Sequence, residues 1–327
     1  MKRYVFIYPL CLLLVSFGSI RSARADYKQA VTYYSQGNYN KAIQELKPDL
    51  DKSPNWEFGH RLLGLCYLGI NNNALAVSSL ARAAELKSTA FSTYYGLGQA
   101  YFNMQRYGDA IASMNRAEPL ATKEKNPEAE KSKISLVRGS AYYRSSRYAD
   151  AVEDLRNAIH ANSSDWTLHS MLGISYFNLN RTDEAIQTLE KALSLKPGEG
   201  AAQISQISKD ILGKAYLKKG VQALSGKQYA AAVQSLTKAK SYNPDDGYIN
   251  YNLAEAYLFQ QQYPAAEKAL TAASTRLPDN AGVFTRLGLV YEKQSKRDLA
   301  LKAYKKAYEL NPSPELKEAV DRLSKKK

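Results

Sequence analysis

Three histidines and two cysteines are the side chains of this 327-residue sequence best suited to chemistry. Their spacing supports none. His60, His160 and His169 form no His-Glu-x-x-His pair for zinc, and Cys11 and Cys66 form no Cys-x-x-Cys. A Walker phosphate loop and a nucleophile elbow are also missing. The Gly-x-Gly of GLGQAY, Gly96 and Gly98, reads as close packing rather than a phosphate cradle. Neither catalytic residues nor metal ligands nor a cofactor are expected, so the chain reads as not an enzyme.

The N-terminus carries a different signal. Lys2 and Arg3 precede an apolar run from Val5 to Gly18, and Ala23-Arg24-Ala25 follows as a small-x-small pattern. Residues 1–25 therefore read as a secretory signal peptide cut after Ala25. An uncleaved N-terminal anchor is the alternative, because Arg21 and Arg24 lie near the cut. No later segment is long and apolar enough to be a membrane span. With the signal removed Cys66 is the only cysteine, so the exported chain must be held by its core without a disulfide.

The elements that would position any site emerge from an internal repeat. KAIQEL, LAVSSL, DAIASM, DAVEDL, EAIQTL, AAVQSL, AAEKAL and LALKAY share an alanine, at Ala42, Ala76, Ala110, Ala151, Ala185, Ala232, Ala266 and Ala300. Five of the seven spacings are 34; the others are 41 and 47. Twelve residues before each anchor stands Gly or Ala, and nine before it stands tyrosine in every unit except the sixth, where Ala223 replaces it. Seven after it is alanine except at Asp49, and twelve after it proline recurs as Pro54, Pro197, Pro244, Pro278 and Pro312.

Two antiparallel helices explain the pattern. The small residue lets the partner helix approach and the tyrosine three residues on fills the space beside it. Alanines seven apart share one face of the second helix, and proline stops it. One such pair cannot bury its apolar face alone, so neighbours must stack.

These small, aromatic, alanine and proline positions resemble the tetratricopeptide repeat family over the whole mature chain. The resemblance implies an all-α, right-handed superhelical solenoid of about eight helix-turn-helix units. Their approximate limits are 23–56, 57–90, 91–124, 132–165, 166–199, 213–246, 247–280 and 281–314. Unit 1 is the weakest, with Pro48 and Leu50 where regular helix is expected. His60 and His169 both fall at a packing position of a first helix, and Cys66 at a small buried one.

The domain organisation follows: signal peptide 1–25, units 1–3 over 26–124, units 4–5 over 125–199, units 6–8 over 200–314, and a basic capping helix and tail over 315–327. Asn126 as cap, Pro127 at the first position, and Glu128 and Glu130 in the first turn predict a lengthened first helix in unit 4. Ile204, Ile207 and Ile211 form a stripe that predicts a lengthened first helix in unit 6. The stretch KPGEGAAQISQISKDILGKAY, 196–216, is expected to break the regular stacking there. Leu316, Ala319, Val320 and Leu323 predict the cap.

By resemblance, such arrays hold a partner on the inner face of their first helices. The residues placed there are Tyr34, Leu68, Tyr95, Phe102, Asn103, Tyr143, Phe177, Asn178, Tyr251, Asn252 and Phe259, with rings for area and amides for a peptide backbone. Packing against the next unit is the alternative role for these rings. The family's lysine-and-asparagine clamp for a peptide carboxylate does not appear, which argues against capture of chaperone C-termini.

The formal charge is +14. Residues 26–212 carry 21 basic and 20 acidic side chains, whereas 213–327 carry 20 and 11. Lys214, Lys218, Lys219, Arg286, Lys293, Lys296 and Arg297 belong to this basic third. It is either a solvated face or a site for an acidic partner or anionic envelope surface; nucleic acid is disfavoured for an exported protein. The sequence thus predicts a bacterial, periplasmic or secreted scaffold that binds a protein or peptide segment and supports assembly of envelope or secretion machinery. A protein that binds anionic lipid or envelope polysaccharide through its basic C-terminal third is the alternative.

Overall fold

The computed structural model describes residues 27–195 and 202–325. The expected signal segment, residues 196–201 and the last two lysines lie outside them. Among the described residues there are seventeen helices and no strand. They run as helix pairs: α1 (Tyr27–Ser35) with α2 (Tyr39–Lys52), α3 (Glu57–Gly69) with α4 (Asn73–Glu85), α5 (Phe91–Asn103) with α6 (Tyr107–Ala121), and α7 (Pro127–Arg144) with α8 (Tyr148–Ala161). After α9 (Trp166–Asn178) and α10 (Thr182–Ser194) come α11 (Ala202–Ser225) with α12 (Tyr229–Tyr242), α13 (Gly247–Phe259) with α14 (Tyr263–Arg276), and α15 (Ala281–Lys293) with α16 (Arg297–Leu310). The last element is α17 (Pro314–Ser324). Two compact units divide between Ser175 and Tyr176, inside α9.

In the first unit each second helix inserts one large side chain, Leu46, Leu80, Met114 or Leu155, all at 0% exposure. Their counterparts in the second unit are Leu189, Leu236 and Leu270, again at 0%, and Tyr304. Burying such a side chain is worth about 1.5–3 kcal/mol. The small residue of the first helix makes room: a methyl on Gly64 would lie 2.5 Å from Leu80 Cγ, and one on Gly220 2.5 Å from Leu236 Cγ. Gly98 faces Met114 in the same way, and a methyl on Gly96 would meet Leu80, Leu65 and Leu68. Both glycines of GLGQAY are thus packing residues. Cys66 is fully buried, and burial pushes its thiol up to about 12.

One turn joins every pair of helices. The residue two positions before the second helix is left-handed: Gly37 once, and seven times a residue with a side chain, Asn71, Gln105, Ser146, Asn180, Lys227, Gln261 and Ser295. In the turn after α5, Gln105 N–H donates to Phe102 O at 2.9 Å and Arg106 N–H to Tyr101 O at 2.9 Å, which satisfies the carbonyls at the helix end. A side chain in this conformation costs about 1–2 kcal/mol, which glycine avoids at some entropic expense. Exchanging exposed Gln105 for glycine is therefore expected to raise stability by about 0.5–1 kcal/mol, read as a higher urea midpoint.

The long first helices have local causes. Asn126 Oδ1 accepts from Ala129 N at 3.3 Å, Pro127 follows, and α7 runs for 18 residues against 13 in α3, α5, α13 and α15. The helix α11 runs for 24. Pro48 does not interrupt α2, and Leu50 beside it is buried. The expected break of stacking around 196–216 begins in residues outside the described ones; beyond them α11 is bonded to α10 by Tyr216 Oη donating to Glu190 Oε1 at 2.7 Å and by Lys219 Nζ to Asp183 Oδ1 at 2.6 Å. The added turns extend α11 beyond its repeat, where Ile207 is 43% exposed.

At the C-terminal end α17 caps the second unit. Ser313 Oγ accepts from Leu316 N, and Leu316 and Leu323 cover Ala300, Tyr304 and Ala307. Arg322 holds Glu292 through both oxygens, at 2.6 and 3.1 Å, and Tyr304 Oη donates to Glu292 Oε2 at 2.9 Å. The hydrogen bond from Arg322 holds the Glu292 carboxyl below the usual carboxylate range. The unfolded chain then binds this proton more readily, so the pairing stabilises the fold above about pH 4.3 and is lost as pH falls through the depressed value. The stability gap between the native chain and Glu292→Gln is expected to be full near neutral pH and to close in acid, as measured by urea titration at several pH values.

Candidate partner-binding faces

The face formed by successive first helices is where the candidate residues fall, and each compact unit has its own. In the first unit the rings mostly turn to their own repeat. Tyr34 packs on Tyr39 at 5.7 Å between centroids, Phe102 on Tyr107 at 5.7 Å and Tyr143 on Tyr148 at 6.2 Å. Each pair closes the mouth of its helical hairpin. Tyr34 is 6% exposed and Tyr95, stacked on Phe91 at 5.3 Å, is 2% exposed. These two cannot present a ring to a partner, which corrects their placement on the face; they belong to the core. Phe102, Tyr143 and Leu68 are half-buried. Exposed Asn103 donates to Asn73 Oδ1 at 3.0 Å, linking one hairpin to the next.

The first unit also holds a polar cluster. Arg138 of α7 donates to both oxygens of Asp154 at 2.7 and 2.9 Å, to both of Glu118 at 2.8 and 3.2 Å, and to Asn115 Oδ1 at 2.9 Å. Its side chain is 14% exposed and that of Asp154 7%. The spacing signalled it: Leu63, Leu97, Leu172, Leu253 and Leu287 stand where Arg138 stands in its own repeat. The cluster joins the third and fourth repeats, so its work is structural.

In the second unit the face is more open. Val221, Tyr248 and Phe259 are 38%, 56% and 59% exposed. Phe259 stacks on Tyr229 with centroids 4.6 Å apart and planes 10° apart, a preformed aromatic platform. Phe177 is half-buried and Asn178 exposed. Asn252 Nδ2 is spent on its own helix, donating to Tyr248 O at 2.7 Å. Tyr251 Oη lies 3.4 Å from Glu255 Oε1, which also accepts from Arg286 Nε at 2.9 Å. Val221 and Tyr248 were absent from the sequence-based set. Only the 34-residue register, which aligns Val221 with Glu255 and Lys214 with Tyr248, could have drawn them in.

The basic residues divide in two. Lys219, Arg286 and Lys296 are paired with Asp183, Glu255 and Glu267. Arg297 donates to the carbonyls of Leu323 and Lys325, and Lys218 to Asn180 Oδ1. Lys214 and Lys293 are exposed with no ion pair among the described residues.

Models of the tetratricopeptide repeat match residues 24–47, 61–127, 136–200, 223–285 and 281–314. The chain belongs to the tetratricopeptide repeat family. Among curated proteins, tetratricopeptide repeat protein 37 of Xenopus laevis is 25% identical over 240 residues, 71% of this chain. That stretch spans only 14% of the length of the relative. Among solved structures, the C-terminal part of a TPR repeat-containing protein from Cytophaga hutchinsonii is 15% identical, with 90% of this chain and 99% of that one covered and a TM-score of 0.45. The Arabidopsis OM64 TPR domain is 27% identical over 35% of this chain and 96% of its own, with a TM-score of 0.34. The tetratricopeptide repeat fold suggests a role in protein–protein interaction. No helix among the described residues is long and apolar enough to cross a membrane.

Proposed function

We propose that the chain is a non-catalytic, exported scaffold that holds a protein or peptide segment on the first-helix face of its repeats, in support of assembling envelope or secretion machinery. The observation that carries this reading is the open face of the second unit, where Val221, Tyr248 and the Phe259–Tyr229 platform stand exposed. Isolated surface apolar residues are ordinary, but exposed rings gathered on one repeat face mark an interaction site. The signal-like sequence of residues 1–25 supports export, and the family supports the scaffold role. The polyanion reading draws less support, because Lys219, Arg286 and Lys296 are already matched by carboxylates.

Salt separates the two readings. In about 1 M salt, where the Debye length is ~3 Å, a partner held by apolar contacts stays bound, and one held by the basic third is released. Co-purification from the source cell with the native chain and with Tyr248→Ala plus Phe259→Ala is the test. Binding weakened but retained in salt, with loss in the double variant, is expected; complete release by salt with no effect of the double variant would favour the polyanion.

A further inference from the structure

We propose that the segment held by the second unit is acidic and amphipathic, with apolar side chains for Val221, Tyr248 and Phe259 and carboxylates for Lys214, Lys218 and Lys293. This rests on the scaffold reading above. The argument is the charge balance of the face. Only two carboxylates, Glu255 and Glu292, stand at its register positions in the last three repeats. Arg286 takes the first, and Arg322 with Tyr304 takes the second. Lys214, Lys218 and Lys293 are exposed and without an ion pair among the described residues, in a stretch, 213–327, that carries 20 basic and 11 acidic side chains.

The apolar and basic groups alternate at spacings one segment can reach. On α11, Lys214 and Val221 are seven residues apart, about 10.5 Å along one side of the helix. In the register of the repeats Lys214 is followed by Tyr248 and then Gly282, and Lys218 by Asn252 and Arg286. Beside Gly282 lies a cleft of about 460 Å³, walled by Leu289, Leu316 and Ala319 and edged by Arg286 and Glu315. It offers an apolar side chain of the segment a receptacle between Arg286 and Glu315. An acidic segment gains Coulomb attraction along the face, while a basic one meets three exposed ammonium groups that form no ion pair.

The experiment pans random 16-residue peptides displayed on phage against the purified full-length chain, then measures an enriched, fluorescein-labelled peptide by anisotropy. Enriched sequences are expected to carry net negative charge with two or more large apolar residues. Charge reversal at Lys214, Lys218 and Lys293 to Glu should weaken binding about tenfold or more, and Tyr248→Ala plus Phe259→Ala likewise. Val221→Asp supplies a third test should the double variant lose helicity. Reversal at Lys302 and Lys305 of α16 should change it less than twofold. Enrichment of basic or uncharged peptides that still depend on Tyr248 and Phe259 would overturn the acidic partner and leave the scaffold reading standing. No enrichment, or binding indifferent to Val221, Tyr248 and Phe259, would overturn both.

Discussion

Arg138→Leu will cost about 3–5 kcal/mol of stability in the first unit, although leucine is the residue most repeats place there. The reason lies in the partners. Asp154, 7% exposed at its side chain, loses both of its hydrogen bonds to the guanidinium, and Glu118 and Asn115 lose theirs. A buried carboxylate without a partner costs far more than the net worth of the pair it had formed. Ser79, Ser113, Ser235, Ala269 and Ala303 occupy the position of Asp154 in other repeats. The double variant Arg138→Leu, Asp154→Ser should therefore recover most of the loss. Urea unfolding of the full chain followed by circular dichroism is the measurement. A single variant as stable as the native chain would show that the cluster is not desolvated. The Glu118 carboxyl is held below the usual range by its hydrogen bond from Arg138, so that share of the stability is present above about pH 4.3 and fades as acid protonates it.

Leu236→Ala should cost about 2–5 kcal/mol in the second unit. Leu236 is fully buried, and its branch point fills the space left by the absent side chain of Gly220. It packs within the cluster of Ala223, Ala232, Leu253 and Ala256, which joins the sixth and seventh repeats. Two helices held apart by a glycine-to-leucine contact cannot close the cavity by small side-chain shifts, so the cost should lie in the upper half of that range. In an array where each repeat touches only its neighbours, the loss should also appear locally. Amide hydrogen exchange should quicken in α11–α13 first, with α3–α6 unaffected. Uniform quickening along the chain would contradict repeat-wise stability.

Much of the fold was legible because the same packing problem is solved eight times. The small residue, the tyrosine three on and the alanine pair recur for the steric reasons seen at Gly64 against Leu80 and Gly220 against Leu236. The lengthened helices were legible where a cap announced them, as Asn126 and Pro127 do for α7. How α11 meets α10 was not legible, because Tyr216 reaches Glu190 through a contact 26 residues away that no local pattern announces.

The candidate face was less legible. Helical periodicity tells which residues share a side of one helix, but Phe102 and Tyr107 meet across a left-handed turn, where no periodicity applies. The sequence offered these rings to a partner or to the next unit, and Tyr34, Phe102 and Tyr143 instead pair within their own hairpins. Glu292 is held by Arg322 from the capping helix, an element with no counterpart in the other repeats, so no repeat register announces the pair. Net charge likewise could not tell the paired Lys296 from the unpaired Lys293.

The most direct test of the scaffold reading places a photo-crosslinking amino acid in the full-length chain within living cells, at position 248 or 259 on the first-helix face of the second unit and at position 302 or 305 on α16. The account predicts a discrete protein adduct from 248 and 259 and none from 302 and 305. Adducts confined to 302 and 305, or none from any of the four, would contradict it.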